Sequence, residues 1–519
     1  MKHFPETMIC VLLTLLMSGV SFNYKRKYII EWGQKLIYPK SITKLENLER
    51  FESHIAKAFL SSINVNKKIH PEVQRLVHLY LKDYFESSGR ININTDDASA
   101  NKEIHISKNP ICTYRLLRRV QTLLKDMVFH KQFCHNFGVE CSNVAYYIMQ
   151  YHWPKPEDLE MLAENILRIH NVYDLDAEQF TNGWISTAGT NCSLNSIHCY
   201  EISFMAIKTD QFTSAIQWLE LAKEKTLVDK KTSMVFIEYL LWKVIEQHNM
   251  EYDESVKMEL EPVFFDREIN HIQNDFKNAT KLRNLQYKAF KGSKERYHAY
   301  LNFQGVCSGD TFQTDKQKSH LFCCVVSYQE ATNRIQGSNS SFHLSLTTSP
   351  CKHSNARHLE KKLEALTGLV VSGTAAETLS LLSYSVGAHL NPHFDKLSFM
   401  DLDKTPYNFR LASIMLYLSD VELGGATVFT SLGINAEPIK GSLLLWYNFF
   451  TDGSSDFDTF HGGCPVILGA KWAANKWVKY GTQLQHKCSL KRQERFQFAV
   501  NNVYLPMPSS SGEIPRRED

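Results

Sequence analysis

The sequence lacks an excess of charge of either sign. Its 58 Lys and Arg side chains nearly balance 55 Asp and Glu side chains, which leaves a formal charge of +3 on 519 residues. A chain with so little net charge offers no electrostatic basis for binding nucleic acid. Beyond residue 22 it also lacks any run of eighteen apolar residues, about the length that a helix needs to cross a bilayer. We therefore expect a soluble mature chain with neither a nucleic-acid nor a membrane partner.

The start of the chain is typical of a secretory signal peptide. Residues 1–22 contain Lys2 and His3, then an apolar run at 8–17, then small residues at 18–21. The apolar run is too short to span a bilayer, which favours a cleaved signal over the alternative of a membrane anchor. We expect the mature chain in the lumen of the endoplasmic reticulum.

A candidate metal-binding motif lies in the last quarter of the chain. His393 and Asp395 form an H-x-D pair, His461 stands further on, and Lys471 follows His461 by ten residues. Two imidazoles and one carboxylate bind non-haem Fe(II) on one face of an octahedron and leave adjacent positions open. A buried lysine could pair with a dicarboxylic acid held at the metal. The spacing therefore predicts an oxygenase dependent on 2-oxoglutarate and Fe(II).

The surrounding sequence resembles the α subunit of collagen prolyl 4-hydroxylase, in register over about a hundred residues. The resemblance rests on Leu-Gly-Gly-Ala-Thr-Val-Phe at 423–429, Lys-Gly-Ser at 440–442, Trp-Tyr-Asn at 446–448 and the stretch 464–477. It implies a double-stranded β-helix that holds iron and 2-oxoglutarate between two sheets. The short apolar runs 412–418 and 442–447 read as strands in agreement with this, and 358–366 reads as a helix.

The resemblance also implies roles for individual residues. His393, Asp395 and His461 would bind Fe(II), Lys471 would bind the distal carboxylate of 2-oxoglutarate, and Tyr384 would lie near that cosubstrate. The implied reaction hydroxylates peptidyl proline to 4-hydroxyproline, with O₂ as the oxidant and ascorbate restoring iron that becomes oxidised.

The chain is too long for one hydrophobic core, and we expect an α+β multidomain protein. Residues 23–150 carry apolar stripes at a spacing of three and four, which predict helices; the resemblance implies that they dimerise the subunit. Residues 151–263 form a second helical block. The expected remainder is a helical connector at 264–305, the oxygenase domain at 306–490 and a polar tail at 491–519.

The second block carries a tetratricopeptide-like pattern in 199–225. The residues at its packing positions are Ile202, Ser203, Phe212, Ala215, Leu219 and Ala222. In the resembled family this module binds a proline-rich, collagen-like peptide. Tyr200, Tyr239 and Phe212 are the candidate substrate-binding residues here, with helix packing as the alternative. The family has tyrosines where this chain has Ile207, Phe212 and Thr213, so the peptide preference is expected to differ.

Cysteine usage fits an oxidising compartment. Removing Cys10 with the signal peptide leaves eleven of the twelve cysteines. The resemblance implies two disulfides, Cys307–Cys323 and Cys464–Cys488. Cys324, Cys351 and the N-terminal cysteines have no assigned partner, and we expect them to be free, buried thiols. Asn191, Asn278 and Asn339 stand in glycosylation motifs.

Two features keep other functions open. The segment between Cys323 and Leu366 is shorter than in the resembled family, which allows a catalytically weakened relative that serves as a peptide-binding or assembly subunit. The altered tyrosines allow an oxygenase for a non-collagen peptide. The family further implies an α₂β₂ assembly with protein disulfide isomerase, which would also retain a chain whose residues 515–519 are not a K-D-E-L-type signal.

Overall fold

Apolar stripes in the first helical block form the helices that they predict. The computed structural model describes residues 39, 41–64, 70–88, 106–129, 153–185, 188–190, 192–257, 294–310, 354–395, 409–450 and 454–483. Helix α1 is Ile42–Asn64 and α2 is Pro71–Ser88. Helix α3 (Pro110–Arg119) continues through a π-helical turn, Val120–Leu124, into α4 (Lys125–Phe129). Three features predicted from the sequence lie outside the described residues: the signal peptide, the asparagines of the three glycosylation motifs, and the C-terminal polar tail.

A buried arginine joins the first three helices. Arg119 on α3 contacts Glu52 on α1 at 2.8 Å and Asp83 on α2 at 3.1 Å. Arg119 and Glu52 are both 1 % exposed. Breaking one member of such a buried pair costs about 3–5 kcal/mol, because the other charge stays buried without its partner. The first block is therefore held by specific ion pairs as well as by its apolar stripes.

The second helical block contains the predicted helix pair. Its elements are α5 (Pro156–Val172), α6 (Ala177–Thr181), the hairpin β1 (Trp184–Ile185) and β2 (Ala188–Gly189), α7 (Ser196–Lys208), α8 (Phe212–Asp229) and α9 (Met234–Lys257). Helices α7 and α8 form the pair expected within 199–225. One apolar core runs from α1 through α9, so the two blocks pack as a continuous body.

A disulfide also joins the two blocks, contrary to the expectation of free N-terminal thiols. Cys112 on α3 is bonded to Cys192, just before α7, with their Cα atoms 5.4 Å apart. Cys199 is a free, buried cysteine as expected. Cys112 and Cys192 are separated by 80 positions, and the sequence pattern could not predict their pairing because the fold brings distant segments side by side.

The C-terminal part is built on antiparallel sheets. Helices α10 (Lys294–Cys307) and α11 (Ser354–Thr367) precede it, and α11 confirms the helix predicted at 358–366. The first sheet has the order β3 (Ser380–Tyr384), β12 (Lys471–Lys479), β5 (Arg410–Tyr417), β9 (Leu443–Tyr447). The second has the order β4 (Leu390–His393), β10 (His461–Gly463), β7 (Thr427–Phe429), β8 (Ile434–Ala436). A small third sheet pairs β11 (Val466–Leu468) with β6 (Leu423–Gly424). The strands predicted at 412–418 and 442–447 are β5 and β9.

The first sheet buries both of its faces. On one face, α11 packs through Leu363 against Ile414 and Val478. On the other, Met415 and Tyr417 pack against Phe429 of the second sheet, together with Trp446 and Ala473. Successive side chains of a strand point to opposite faces, so every second residue of β5 and β12 enters the space between the two sheets.

The structure corrects the expected cysteine pairing of the oxygenase domain. Cys307, at the end of α10, is bonded to Cys464, with their Cα atoms 5.7 Å apart. The expected pairs Cys307–Cys323 and Cys464–Cys488 are therefore wrong as far as Cys307 and Cys464 are concerned; Cys323 and Cys488 lie outside the described residues. The physical reason is that α10 packs directly on the end of β10, where Phe303 and Val306 share a core with Cys464.

Among the described residues, no helix combines the length and apolar character needed to cross a membrane.

Candidate metal centre

Strand pairing brings the two histidines of the motif together. His393 ends β4, His461 begins β10, and the two residues are directly opposite in the antiparallel register. Asp395 follows two residues after His393. One ligand atom from each of the three lies within 4.8 Å of the others. The ring nitrogen Nε2 of His393 is 3.5 Å from the Asp395 carboxylate, and that of His461 is 3.8 Å from it.

Backbone contacts orient both imidazoles toward the carboxylate. Nδ1 of His393 donates to the carbonyl of Asn391 at 2.9 Å, and Nδ1 of His461 donates to the carbonyl of Thr459 at 2.9 Å. A carbonyl oxygen can only accept, so each ring carries a proton on Nδ1 and, in its neutral form, presents the lone pair of Nε2. Such contacts fix the tautomer of a histidine ligand before a metal arrives.

Two side chains of the first sheet hold Asp395 from the other side. The carboxylate atom Oδ2 accepts from the Ser413 hydroxyl at 2.5 Å and from the Trp477 indole at 2.9 Å. Sequence reasoning missed both residues. Ser413 and Trp477 are directly opposite each other in the β5–β12 register and share the inner face, a pairing that only the fold reveals.

The electrostatics favour an ionised carboxylate and a neutral distal histidine. Burial by itself raises the pKa of Asp395, but contacts with His393, His461, Ser413 and Trp477 outweigh burial and hold the pKa well below its ordinary value. Burial also lowers the pKa of His461, despite the opposing effect of Asp395. For His393 burial is outweighed by the hydrogen bond to Asp395, which raises the pKa. A negative carboxylate beside an imidazole lone pair is a site for a cation.

Lys471 is a buried cation without a carboxylate partner among the described residues. It is 3 % exposed, and its Nζ donates to the carbonyl of Gly425 at 2.7 Å and to the Thr427 hydroxyl at 3.3 Å. Burial lowers the pKa of Lys471 to about 7. An unpaired ammonium is costly in such a place, and an anionic ligand would remove that cost.

Aromatic rings and hydroxyls surround this ammonium. Its Nζ lies 5.4 Å from the ring centre of Tyr384 and 5.3 Å from that of Tyr417. Tyr384 is directly opposite Lys471 in the β3–β12 register. Tyr417 donates to the Thr427 hydroxyl at 2.8 Å. Sequence reasoning found Tyr384 and missed Thr427 and Tyr417, although Thr427 lies within the Leu-Gly-Gly-Ala-Thr-Val-Phe phrase that carried the resemblance.

The residues present fit a metal with an organic anion beside it. The three donors are an imidazole pair and a carboxylate, which suits Fe(II) and leaves other coordination positions for small ligands. The Nε1 of Trp446 and the Oδ1 of Asn475 are buried and have no hydrogen-bond partner within the part of the chain that the structure describes. Trp446 lies against His461, with ring centres 4.7 Å apart. Asn475 shares a face of β12 with Lys471 and Trp477. The space between the sheets therefore has unused hydrogen-bonding capacity for a polar ligand.

The candidate peptide-binding residues lie on the helices, apart from the strands that carry the triad. Tyr200 on α7 contacts the Phe236 ring, with centres 6.0 Å apart. Tyr239 on α9 is 46 % exposed and lies beside Trp242, which is 55 % exposed. Phe212 is only 6 % exposed, at the start of α8. The exposed aromatic surface is thus on α9 rather than at Phe212.

Two family models match the chain. Residues 41–187 match the prolyl 4-hydroxylase alpha-subunit N-terminal region, and residues 379–479 match the 2OG-Fe(II) oxygenase superfamily. The second match contains all three triad residues and Lys471. The first match covers the elements from helix α1 to strand β1.

Curated relatives match over most of the chain. The prolyl 4-hydroxylase subunit alpha-1 of Caenorhabditis elegans is 24 % identical over 91 % of this chain and 94 % of its own length. The human subunit alpha-1 is 24 % identical over 74 % of this chain and 85 % of its own length. The mouse subunit alpha-3 is 24 % identical over 73 % and 84 %, respectively.

A viral collagen prolyl hydroxylase from Paramecium bursaria Chlorella virus-1, solved as a 2OG complex, is 24 % identical over 34 % of this chain and 98 % of that one. Its TM-score of 0.21 is too low to support an argument about the fold. The sequence matches stand without it. The chain is thus similar to the prolyl 4-hydroxylase alpha subunits over most of its length, and it contains a match to their N-terminal region and one to the 2OG-Fe(II) oxygenase superfamily.

Proposed function

We propose that this chain is the catalytic alpha subunit of a procollagen-proline 4-dioxygenase, which hydroxylates peptidyl proline to 4-hydroxyproline. The observation that carries the proposal is the convergence of His393, Asp395 and His461 with the unpaired ammonium of Lys471 in one domain. The alpha-subunit relatives supply the substrate class. Fe(II), 2-oxoglutarate and ascorbate are the proposed cofactors.

The triad would hold Fe(II) through Nε2 of both histidines and the carboxylate of Asp395. When bound, Fe(II) with O₂ and 2-oxoglutarate supplies an oxidant for a C–H bond, and 2-oxoglutarate leaves as succinate and CO₂. The chain's own part is positioning. The carbonyls of Asn391 and Thr459 fix the imidazoles, and Ser413 and Trp477 fix the carboxylate. The donors are thus set before the metal binds, which lowers the cost of ordering them.

Lys471 would bind the distal carboxylate of 2-oxoglutarate. The Thr427 hydroxyl is within hydrogen-bond reach of the same ammonium, and Tyr384 forms a wall of that pocket. A carboxylate placed there would gain a charge-assisted hydrogen bond in a dry site. Phe429 and Trp446 line the histidine side and exclude water from it.

The proposal also includes the fold type of the oxygenase domain, the helical module for the peptide and the domain boundaries. The two facing four-stranded antiparallel sheets are the arrangement that a double-stranded β-helix would have, and the α7–α8 pair is what a tetratricopeptide-like module would have. We assign residues 23–150 to dimerisation, 151–263 to peptide binding, 264–305 to a connector and 306–490 to the oxygenase. Helix α10 begins in this connector and ends at Cys307.

The peptide groove is proposed on α7 and α9. Tyr200 and Tyr239 would contact a proline-rich, collagen-like peptide, whose polyproline II helix is already ordered and fits aromatic surfaces. Phe212 would contribute through packing. The half-buried Ile207 and the buried Thr213 offer no aromatic face, which supports a shifted peptide preference.

A second function has one observation in its favour. The segment between Cys323 and Leu366 is shorter than in the resembled family, so a catalytically weakened subunit that binds or assembles without turnover is the alternative. The oriented triad argues against it, because a non-catalytic chain has no need of two imidazoles and a carboxylate that hydrogen bonds hold within reach of one metal ion.

Peptide-dependent succinate formation separates these functions. The purified complex is incubated with (Pro-Pro-Gly)ₙ or with a panel of other peptides. We expect succinate and 4-hydroxyproline with the proline-rich peptide, and their loss in His393→Ala and His461→Ala. The exposed His54 on α1 provides a control, His54→Ala, which should keep full activity. Turnover near the wild-type rate in either triad variant would overturn the metal assignment.

A further inference from the structure

We propose that Tyr173, at the end of helix α5, is a positioning residue that holds Lys471 in place for its anionic ligand. The proposal rests on the function proposed above. Tyr173 belongs to the helical region and touches neither the triad nor the ammonium. It acts through the glycine turn that supplies the lysine's backbone acceptor.

Three hydrogen bonds connect the tyrosine to the lysine. The Tyr173 hydroxyl donates to the carbonyl of Pro465 at 2.6 Å. The same carbonyl accepts from the N–H of Gly425 at 3.0 Å. The carbonyl of Gly425 in turn accepts from Nζ of Lys471 at 2.7 Å. The Pro465 carbonyl is the shared acceptor of the first two bonds, and Gly425 continues the connection to Lys471 through its own N–H and carbonyl.

The glycine turn at Gly424 and Gly425 packs closely around the Tyr173 hydroxyl. Gly424 and Gly425 have φ of +77° and +76°, a left-handed conformation that favours glycine. A Cβ on Gly424 would lie 2.8 Å from the Tyr173 oxygen and 2.6 Å from the Pro465 carbonyl. Burial raises the pKa of Tyr173, and the nearby Gly425 N–H acts in the opposite direction. The hydroxyl therefore stays protonated, and it lies between the glycine turn and the Pro465 carbonyl just before β11.

Lys471 depends on this turn because its other protein partner is weaker. Of its two hydrogen bonds, the one to Gly425 is 2.7 Å and the one to the Thr427 hydroxyl is 3.3 Å. A long, flexible side chain loses rotamer freedom when it is held in one pose. If the Gly425 carbonyl moves, the ammonium is no longer presented in the pose that an incoming carboxylate needs.

A structural role and a positioning role make different predictions. Tyr173 also lies at the junction of α5 with the sheets, where Ser308 donates to the Val172 carbonyl at 2.6 Å. Loss of a merely structural contact would lower the melting temperature without changing the affinity of the folded protein for its ligand. Loss of positioning would weaken binding of 2-oxoglutarate and leave the triad intact.

The test compares Tyr173→Phe with two matched variants of the full complex. Ser308→Ala removes a hydrogen bond from the same junction, and Tyr114→Phe removes a buried hydroxyl that donates to Glu201 at 2.8 Å. Calorimetry measures 2-oxoglutarate binding to the Mn(II)-loaded protein, and kinetics give KM and kcat with Fe(II). Melting temperatures show that each variant is folded.

We expect Tyr173→Phe to raise both the dissociation constant and the KM for 2-oxoglutarate about three- to tenfold, the effect of losing one hydrogen bond. The kcat and the affinity for Mn(II) should stay within about twofold of wild type, given that the triad is untouched. Both control variants should bind 2-oxoglutarate as the wild type does. In a Lys471→Ala background, Tyr173→Phe should add little, because the two residues act on one contact.

Unchanged 2-oxoglutarate binding in Tyr173→Phe would overturn this inference while leaving the proposed function standing. Equal weakening in Ser308→Ala would also overturn it, by showing that any loosening of the junction has this effect. Full additivity with Lys471→Ala would do the same. Failure of the wild-type protein to bind 2-oxoglutarate at all would instead overturn the proposed function.

Discussion

Two buried lysines on one strand show how a single residue can indicate a ligand. Lys471 and Lys476 both lie on β12 and are 3 % and 4 % exposed. Their positions differ by an odd number of residues, so they point to opposite faces of the sheet. Lys476 contacts Glu360 of α11 at 2.8 Å. Among the described residues, Lys471 has only a carbonyl and a hydroxyl as hydrogen-bond acceptors, which leaves its charge for a partner from outside.

Lys471→Ala should raise the KM for 2-oxoglutarate by about ten- to a hundredfold. The variant loses a charge-assisted hydrogen bond worth about 1.5–3 kcal/mol. Steady-state kinetics of succinate formation measure the change. Lys476→Ala is the matched control, since it removes a buried lysine from the same strand and should cost stability without changing KM. An unchanged KM in Lys471→Ala would exclude this lysine from the cosubstrate site.

Binding of 2-oxoglutarate should be accompanied by proton uptake at pH 8. Burial lowers the pKa of Lys471 from 10.5 to about 7, so without ligand the amine is mostly neutral at pH 8. A bound carboxylate favours the ammonium and raises the pKa again. Affinity should therefore fall as pH rises above about 7, while at pH 6 the lysine is already charged and uptake should vanish.

Calorimetry at pH 8 in two buffers of different ionisation enthalpy measures this uptake. The comparison is the difference between wild type and Lys471→Ala, which cancels protons exchanged by the metal site. Equal heats in both buffers for the wild type would contradict the predicted charge change.

At the scale of helices and strands, the local pattern of apolar residues correctly predicted that several elements exist and whether each is a helix or a strand. The apolar stripes gave α1, α2 and the α3–α4 segment, and the runs 412–418 and 442–447 gave β5 and β9. These elements follow from a period that each segment carries in its own residues. The ligand pattern and the resemblance predicted that His393 and His461 share a site, but the strand register that brings them together is a long-range property that only the structure gives.

Pairings between distant elements could not be predicted in the same way. The disulfide expectation joined cysteines that are near in sequence, whereas Cys307 reaches Cys464 across 157 residues. The contact exists because α10 lies on the second sheet, with Phe303 against Gly462, where a Cβ would come within 2.9 Å of the ring. Ser413, Trp477 and Tyr173 were missed for the same reason: their partners are 18, 82 and 292 residues away.

Removing the Cys307–Cys464 disulfide should destabilise the protein by about 2–4 kcal/mol, the usual range for a native cross-link. The double variant Cys307→Ser/Cys464→Ser would show this as a lower free energy of unfolding in denaturant. The free, buried Cys199 provides the control, Cys199→Ala, which leaves both cross-links in place. Peptide mapping without reduction should recover Cys307 linked to Cys464, and recovery of Cys307 linked to Cys323 would contradict the structure.

At the scale of the whole molecule, the helical region supports the oxygenase sheets directly. Asn165 on α5 donates to the Val386 carbonyl at 3.0 Å, and Arg168 donates to the Gly387 carbonyl at 3.2 Å. Gly387 approaches so closely that a Cβ there would lie 2.3 Å from Asn165. The backbone of the oxygenase domain is thus matched to one helix of the helical region. The two parts should fold and lose structure together rather than as independent modules.

Assembly with protein disulfide isomerase is the prediction that belongs to this scale. The alpha-subunit relatives imply a partner subunit. The two disulfides among the described residues join segments 80 and 157 residues apart, and structural disulfides of this kind are typical of proteins that fold in an oxidising compartment. We expect coexpression with the isomerase to give a soluble complex retained in the endoplasmic reticulum, and expression alone to give aggregated or secreted chain. Size-exclusion chromatography with light scattering measures the assembly, which we expect to be α₂β₂. A soluble, active and luminally retained monomer obtained without the isomerase would contradict this assembly.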